Sequence, residues 1–288
     1  MKNQKKTILV TGATGQQGGA TTTALLERGF SVRGLTRNTQ SPSSLALTER
    51  GVQMVEGNFQ NLDSLTEAVR GVDVVFFMTT PFEDGVDAET QQGLAMIEAI
   101  RKAGGVEHVV YTSVASANQN TGIPHFESKY EVEKVLAASG LNYTIVAPVY
   151  FMDNARMPQA VEGVQNGVYA VGVPEGKPLQ QIAVSEIGEF AAAVIERGES
   201  VYGQRYDIAS EERTGTDYAS LLAEAVGHDV NFMALAPEAF SAWGEDMVIM
   251  TRWFGSDGYD VRIPELKNAF PEVNWKGFKS WASELSWN

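Results

Sequence analysis

Residues 7–37 read TILVTGATGQQGGATTTALLERGFSVRGLTR, and this stretch decides the fold. Ile8 to Val10 form a short apolar run, Gly12, Gly15 and Gly18 punctuate a tight turn, and Ala20 to Arg28 carry helical residues stopped by Gly29. Ser31 to Leu35 supply a second strand. The glycines differ in what they allow. Gly12 permits the sharp turn, Gly15 lets the backbone approach a pyrophosphate, and Gly18 lets helix and strand pack closely. Free N–H groups at the helix start then face the phosphates, so Gly12, Thr14, Gly15, Gln16, Gln17 and Gly18 form the expected cradle. The spacing GxxGxxG departs from the commoner GxGxxG; its weight comes from the strand-turn-helix context.

The second strand ends in Thr36 and Arg37. An NAD-preferring protein usually places an acid there, about 20 residues past the glycines, to bond the ribose hydroxyls. An arginine instead grips a 2′-phosphate through a bidentate, charge-assisted pair, which predicts NADP(H) preferred over NAD(H). The alternative for Arg37 is a solvated loop residue.

Working outward, 288 residues suggest one large or two modest domains, and 43% apolar with 20% charged residues is the composition of a soluble globular protein. The basic start MKNQKK leads only into a short strand, too short for a signal segment or a membrane span. With no cysteine, disulfides and thiol chemistry are excluded; the three histidines, His108, His125 and His228, lack metal-site spacing, so no metal is expected. A cytoplasmic setting fits. The net charge of −14 argues against a nucleic-acid surface, which needs basic patches.

Strand and helix signals alternate from Ser41 to Pro148: a helix over SPSSLALTER, a strand over VQMVEGN, a helix over NLDSLTEAVR with Asp63 as N-cap, a strand at Val72 to Met78, a helix at Ala88 to Ala103, a strand at His108 to Ser113, a helix at Phe126 to Ser139 and a strand at Tyr143 to Pro148. Such alternation predicts an α/β fold, a doubly wound parallel-sheet Rossmann domain over 1–153, with a return segment near 180–210 and a smaller mixed α/β C-terminal domain over 154–288. Ligands bind outside the carboxyl ends of the strands in such sheets. Asn58 and Phe59 are thus placed to flank an adenine, and Thr79, Thr80 and Pro81 to line the nicotinamide half, with Met78 among the cofactor-binding residues at the end of its strand and Pro148, Tyr150 and Asn154 on the last such loop. All five tryptophans fall after Pro237, which reads either as an aromatic pocket for a planar substrate or as core packing or a dimer contact.

TGATGQQG at the first turn, Arg37, HFESK at 125–129 and PVYFMDN at 148–154 together resemble the NmrA-like family of atypical short-chain dehydrogenase/reductases, and the resemblance covers nearly the whole chain. It implies NAD(P)(H) binding in a Rossmann domain roofed by a small C-terminal domain; some members are reductases and others are redox sensors acting through a protein. Typical short-chain dehydrogenases carry Tyr-x-x-x-Lys on the corresponding helix, residues four apart sharing one face. Here the pair is His125 and Lys129. The resemblance makes Lys129 a ligand of the nicotinamide ribose and Ser113 a substrate-polarising residue. His125 is either the proton donor or a structural filler. Tyr130 cannot stand in, being turned by about 100° from that face.

Reducing a simple ketone creates a strongly basic alkoxide and demands an acid, whereas a quinone or extended dye yields a delocalised anion that water can protonate later. The expected function is an NADPH-dependent oxidoreductase acting on a conjugated acceptor such as a quinone, as monomer or homodimer. The alternative is a catalytically inactive sensor acting through a regulatory protein. A nucleotide-sugar epimerase is disfavoured by the missing tyrosine and the short C-terminal part.

Overall fold

The computed structural model describes residues 6–287; the basic start, residues 1–5, lies outside them. Alternating strands and helices build the first part: β1 (Thr7–Val10), α1 (Gln16–Glu27), β2 (Ser31–Thr36), α2 (Pro42–Glu49), β3 (Gln53–Glu56), α3 (Leu62–Val69), β4 (Val74–Met78), α4 (Val86–Ala103), β5 (His108–Thr112), α5 (Pro124–Ala138) and β6 (Tyr143–Pro148). The chain then passes through β7 (Tyr150–Phe151), α6 (Pro158–Gln165), β8 (Val168–Val171) and β9 (Pro178–Ile182). It returns through α7 (Val184–Arg197) and β10 (Gln204–Ile208), and finishes with β11 (Glu211–Thr214), α8 (Gly215–Val226), β12 (Asn231–Ala234), α9 (Glu245–Ser256), α10 (Ile263–Ala269) and α11 (Phe278–Ser283).

The main sheet has seven parallel strands in the order β10-β6-β5-β4-β1-β2-β3. Winding runs outward from β1 to β3, then restarts at β4 on the other side of β1. The connections on either side therefore diverge, and a crevice opens above the carboxyl ends of β1 and β4. Alternation along the strands fills both faces. Ile8, Val10, Val74, Phe76 and Val110 meet α1 and α7, while Leu9, Val75, Phe77, Val109 and Tyr111 meet α3, α4 and α5. Close helix packing rests on absent side chains: a Cβ on Gly188 of α7 would stand 2.4 Å from the Ala20 carbonyl carbon of α1. One on Gly93 of α4 would stand 2.3 Å from Val132 of α5.

Two small sheets, β11-β9-β7 and β12-β8, carry the C-terminal part. Its core contains Met152, Tyr169, Leu222, Trp253, Phe278, Trp281 and Trp287, so three tryptophans pack in the interior. Trp275 packs against the core on the α1–α7 side, and only Trp243 of the five is exposed. The buried Glu186 fastens the carboxyl-terminal run to α7, accepting from Ala183 N at 2.8 Å, the Ser210 hydroxyl at 2.7 Å and Lys276 N at 2.5 Å.

Two local expectations are corrected. Helix α1 begins at Gln16, not near Ala20, because Gly15 already has the extended backbone of an N-cap. The N-cap of α3 is Asn61, whose side chain accepts from Ser64 N at 3.1 Å; Asp63 lies inside the first turn and pairs with Lys102 at 3.1 Å. Among the described residues, no helix is long and apolar enough to cross a membrane.

Candidate functional site

At the crevice the backbone has been cleared. Gly12 sits at φ 60°, in the left-handed region that favours glycine, and its carbonyl accepts from Gly15 N at 2.8 Å. A Cβ on Gly18 would stand 2.2 Å from that carbonyl oxygen and 2.5 Å from that of Thr11. No side chain caps the amino end of α1. A turn with glycine at positions 12, 15 and 18, leading into a helix start with no side-chain cap, fits a pyrophosphate, whose charge the N–H groups and helix dipole would meet. Thr14 and Gln16 are exposed at its lip. Gln17 turns inward and accepts from the Thr112 hydroxyl at 3.0 Å, while Met78 N donates to the Thr11 hydroxyl at 3.0 Å, tying β1, β4 and β5 together beneath the turn.

At the rim, Arg37 is 72% exposed and donates from both terminal nitrogens to Glu83, at 2.7 and 3.1 Å. Glu83 belongs to the loop between β4 and α4, so this pair spans the mouth of the crevice. Asn58 accepts from Gln60 N at 2.9 Å and shapes the turn before α3. Phe59 leans onto the core beneath that turn. Thr80 accepts from Phe82 N at 3.3 Å and its own N–H donates to Gln92 at 3.3 Å; Phe82 is 78% exposed.

The floor is polar and buried. Lys129 donates to the Thr79 carbonyl at 3.2 Å and to Glu89, a wholly buried carboxylate on α4. Glu89 also accepts from the hydroxyls of Thr79 at 3.1 Å and Ser128 at 2.5 Å. The Thr79 hydroxyl meets the Tyr111 phenol at 3.1 Å. Burial pushes that phenol well above its usual range, against the opposing effect of the Thr79 bond, so it stays protonated. An ammonium has three protons, and two are used. The third has no partner among the described residues.

His125 lies four residues before Lys129 at the start of α5, with Nδ1 2.8 Å from each oxygen of Asp246 on α9. Ser113 does not join this group: it is buried and its hydroxyl is given to Glu133, which Arg205 of β10 holds at 2.9 Å. The same arginine pairs with Asp207 and donates to the Val114 carbonyl at 2.9 Å. Tyr130 packs toward the C-terminal core. Pro148 is buried and its carbonyl accepts from Ala115 N at 3.0 Å. Tyr150 packs edge-on to Phe254 at 6.1 Å, and burial raises its phenol in spite of a hydrogen bond with Asn154. A separate open cavity of about 360 Å³ lies beside β10, lined in part by Arg205, Asp207, Asp260, Arg262 and Phe270, and shares no residue with the Lys129 cluster.

Of the sequence-selected residues, the fold thus gathers the turn glycines, Gln17, Met78, Thr79 and Lys129 around one crevice, sets Arg37 at its mouth, and encloses Ser113. Glu83, Glu89 and Asp246 escaped sequence reading. Glu89 looks like an ordinary first-turn acid complementing a helix dipole, and only the need of a largely enclosed Lys129 for a counter-charge could have pointed to such a partner.

Residues 4–282 match the NmrA-like family. The chain is 33% identical over 158 residues to an NmrA-like family domain-containing oxidoreductase, notA, of Aspergillus sp., a match spanning 51% of this chain and only 46% of that protein. It is 28% identical over 240 residues to quinone oxidoreductase 2 of Escherichia coli, covering 82% of this chain and 80% of that one. The fold superposes on the triphenylmethane reductase of Citrobacter sp. complexed with NADP(H), with a TM-score of 0.82, 20% identity, and coverage of 96% of this chain and 99% of the other.

Proposed function

The chain belongs to the NmrA-like family, and from that premise we propose that it is an NADPH-dependent reductase of electron-poor conjugated acceptors such as quinones. The observation that carries this reading is the part-buried lysine at the switch point, held by a buried carboxylate. Lys129 is oriented by Glu89 and Thr79, with one N–H in reserve, and its helix lacks the tyrosine that would protonate a simple ketone.

The glycine turn and the start of α1 hold the pyrophosphate. Arg37 exchanges Glu83 for the 2′-phosphate, Lys129 holds the nicotinamide ribose, Thr79 and Thr80 border the nicotinamide, and Asn58 and Phe59 border the adenine. The bound dinucleotide supplies the hydride. What remains for the protein is to hold donor and acceptor in contact and exclude water; such positioning is worth roughly 7–11 kcal/mol of the barrier in well-oriented reactions. A delocalised product anion needs no strong acid, and His125, four residues before Lys129 on α5, is the side chain on that helix that can pass it a proton. Ser113, closed onto Glu133, supports α5 and does not touch the acceptor. The names of the E. coli and Citrobacter relatives, which concern a quinone and a triphenylmethane dye, support an acceptor of this class.

A single-turnover experiment tests the reading: NADPH carrying a labelled 4-hydrogen is mixed with the protein and a panel of quinones, enones, imines and aldehydes. Fast, protein-dependent transfer of label to quinones is expected. Tight NADPH binding without transfer to any acceptor would replace this reading with that of a redox sensor. Arg37→Glu should weaken NADPH roughly 10- to 100-fold and NADH little; equal effects would remove the cofactor assignment.

A further inference from the structure

His125 is placed by two elements that are far apart in sequence. Pro124 and His125 open α5, while Asp246 is the second residue of α9, 121 positions later. Both Asp246 oxygens lie 2.8 Å from Nδ1, and Oδ1 is also 3.4 Å from the His125 backbone N–H. The ring stands edge-on to Phe126, with centroids 4.8 Å apart, and the side chain is mostly buried. A carboxylate on Nδ1 fixes the proton there. Nε2 is left as the exchangeable nitrogen: it has no partner among the described residues and is not one of the buried unpartnered atoms, so it reaches solvent.

We infer that Asp246 is a positioning residue that makes His125 a proton donor through Nε2, and that this dyad extends the acceptor range to α,β-unsaturated carbonyl compounds. The inference rests on the reductase reading above and deepens it. Hydride addition at the β-carbon of an enone forms a C–H bond and moves the C=C electron pair onto the carbonyl as an enolate, which is more basic than a hydroquinone anion. Imidazolium Nε2–H then breaks and the proton joins the enolate. The ring returns to the neutral tautomer, which keeps its Nδ1 proton and donates it in a hydrogen bond to the Asp246 carboxylate, and solvent then reprotonates Nε2. NADPH is the two-electron reductant, and the saturated ketone is the product. Because Asp246 comes from the C-terminal part, the donor is correctly set only while α9 rests on α5.

Two measurements on the full chain test this. Nitrogen-15 NMR of the His125 ring, without cofactor, should show a protonated Nδ1 and a solvent-exchanging Nε2 in the wild type, and mixed tautomers in Asp246→Asn. In steady-state assays Asp246→Asn should lower kcat for an enone on the order of 100-fold with little change in KM, the scale of general acid catalysis. Its loss on a quinone should be at least tenfold smaller. Asp246→Glu should restore part of the enone rate, and adding His125→Ala to Asp246→Asn should cost little more than either alone. An unprotonated Nδ1 in the wild type, or equal losses on enone and quinone, would overturn the dyad. Failure of the wild type to reduce quinones would instead overturn the reductase reading, and the NMR result would still judge the dyad.

Discussion

Two cation–carboxylate pairs bound the crevice, one at its floor and one at its mouth. Lys129 and Glu89 have side-chain exposures of 12% and 0%, against 72% and 53% for Arg37 and Glu83. The floor pair is held by Thr79 and Ser128 beside Tyr111, and its carboxylate is sealed from water while its ammonium is only slightly exposed. The mouth pair competes with solvent at every moment. Burial therefore turns the same chemistry into a permanent fixture in one place and an exchangeable contact in the other. A ribose hydroxyl can only add to Lys129, whereas a phosphate can replace Glu83 on Arg37.

The largest effect should come from the floor. Glu89→Ala leaves a part-buried ammonium without its counter-charge and takes an acceptor from the Thr79 and Ser128 hydroxyls, and should cost about 3–5 kcal/mol in denaturant unfolding. Removing both charges, as Glu89→Leu with Lys129→Met, should recover most of that stability while abolishing tight cofactor binding. A loss below about 1 kcal/mol for Glu89→Ala would break the contrast, because that is the range of exposed pairs.

An interior group without a counter-charge sharpens the same point. His108 gives its Nε2 proton to Thr144 at 2.8 Å, since that hydroxyl itself donates to the Val201 carbonyl, and Nδ1 is buried with no partner. Burial, with a smaller contribution from Lys6, lowers its pKa from 6.5 to about 4. The unfolded chain thus takes up this proton before the folded one. The associated stability is present above pH 6.5 and is lost as pH falls towards 4, by about 3 kcal/mol at 1.36 kcal/mol per pKa unit. Unfolding free energies measured from pH 7.5 to 4 should show this slope, and His108→Leu should flatten it; an unchanged slope in the variant would assign the loss to other groups.

The smallest stability effect belongs to the mouth. Glu83→Gln should change unfolding free energy by less than about 1 kcal/mol. It should nonetheless tighten NADPH several-fold by removing the internal competitor, and leave NADH alone. Isothermal titration at low and high salt would show it, and equal tightening of both dinucleotides would place Glu83 away from the 2′-phosphate.

The fold was legible because each β-α unit carries its own signal: an apolar run such as VVFFM, a helix of period 3.6, and a glycine where the helix must end. Helix starts were less so. Asn61 and Asp63 are both competent caps, and the choice depends on where the preceding strand releases the chain, which neither residue encodes. In the site, Lys129 and the glycines could be found because their spacing is local. Asp246 could not, since an acid opening a helix looks solvated until its partner 121 positions earlier is folded against it. Of the two readings of the tryptophan cluster, packing decides for the core: Trp253, Trp281 and Trp287 fill the interior of a small lobe in which large aromatic side chains make up much of the core.

The return of the chain has a consequence for biosynthesis. Strand β10 pairs with β6 and α7 covers α1, so the sheet acquires one of its covering helices only after residue 197 and its last edge only after residue 208 has been made. A nascent chain that has just completed β6 carries an open strand edge and a bare apolar face while some 60 further residues are synthesised, at roughly 5–20 residues per second. The ribosome thus holds an aggregation-prone intermediate for several seconds, and a fragment cut at the apparent boundary near residue 153 would keep that exposure indefinitely.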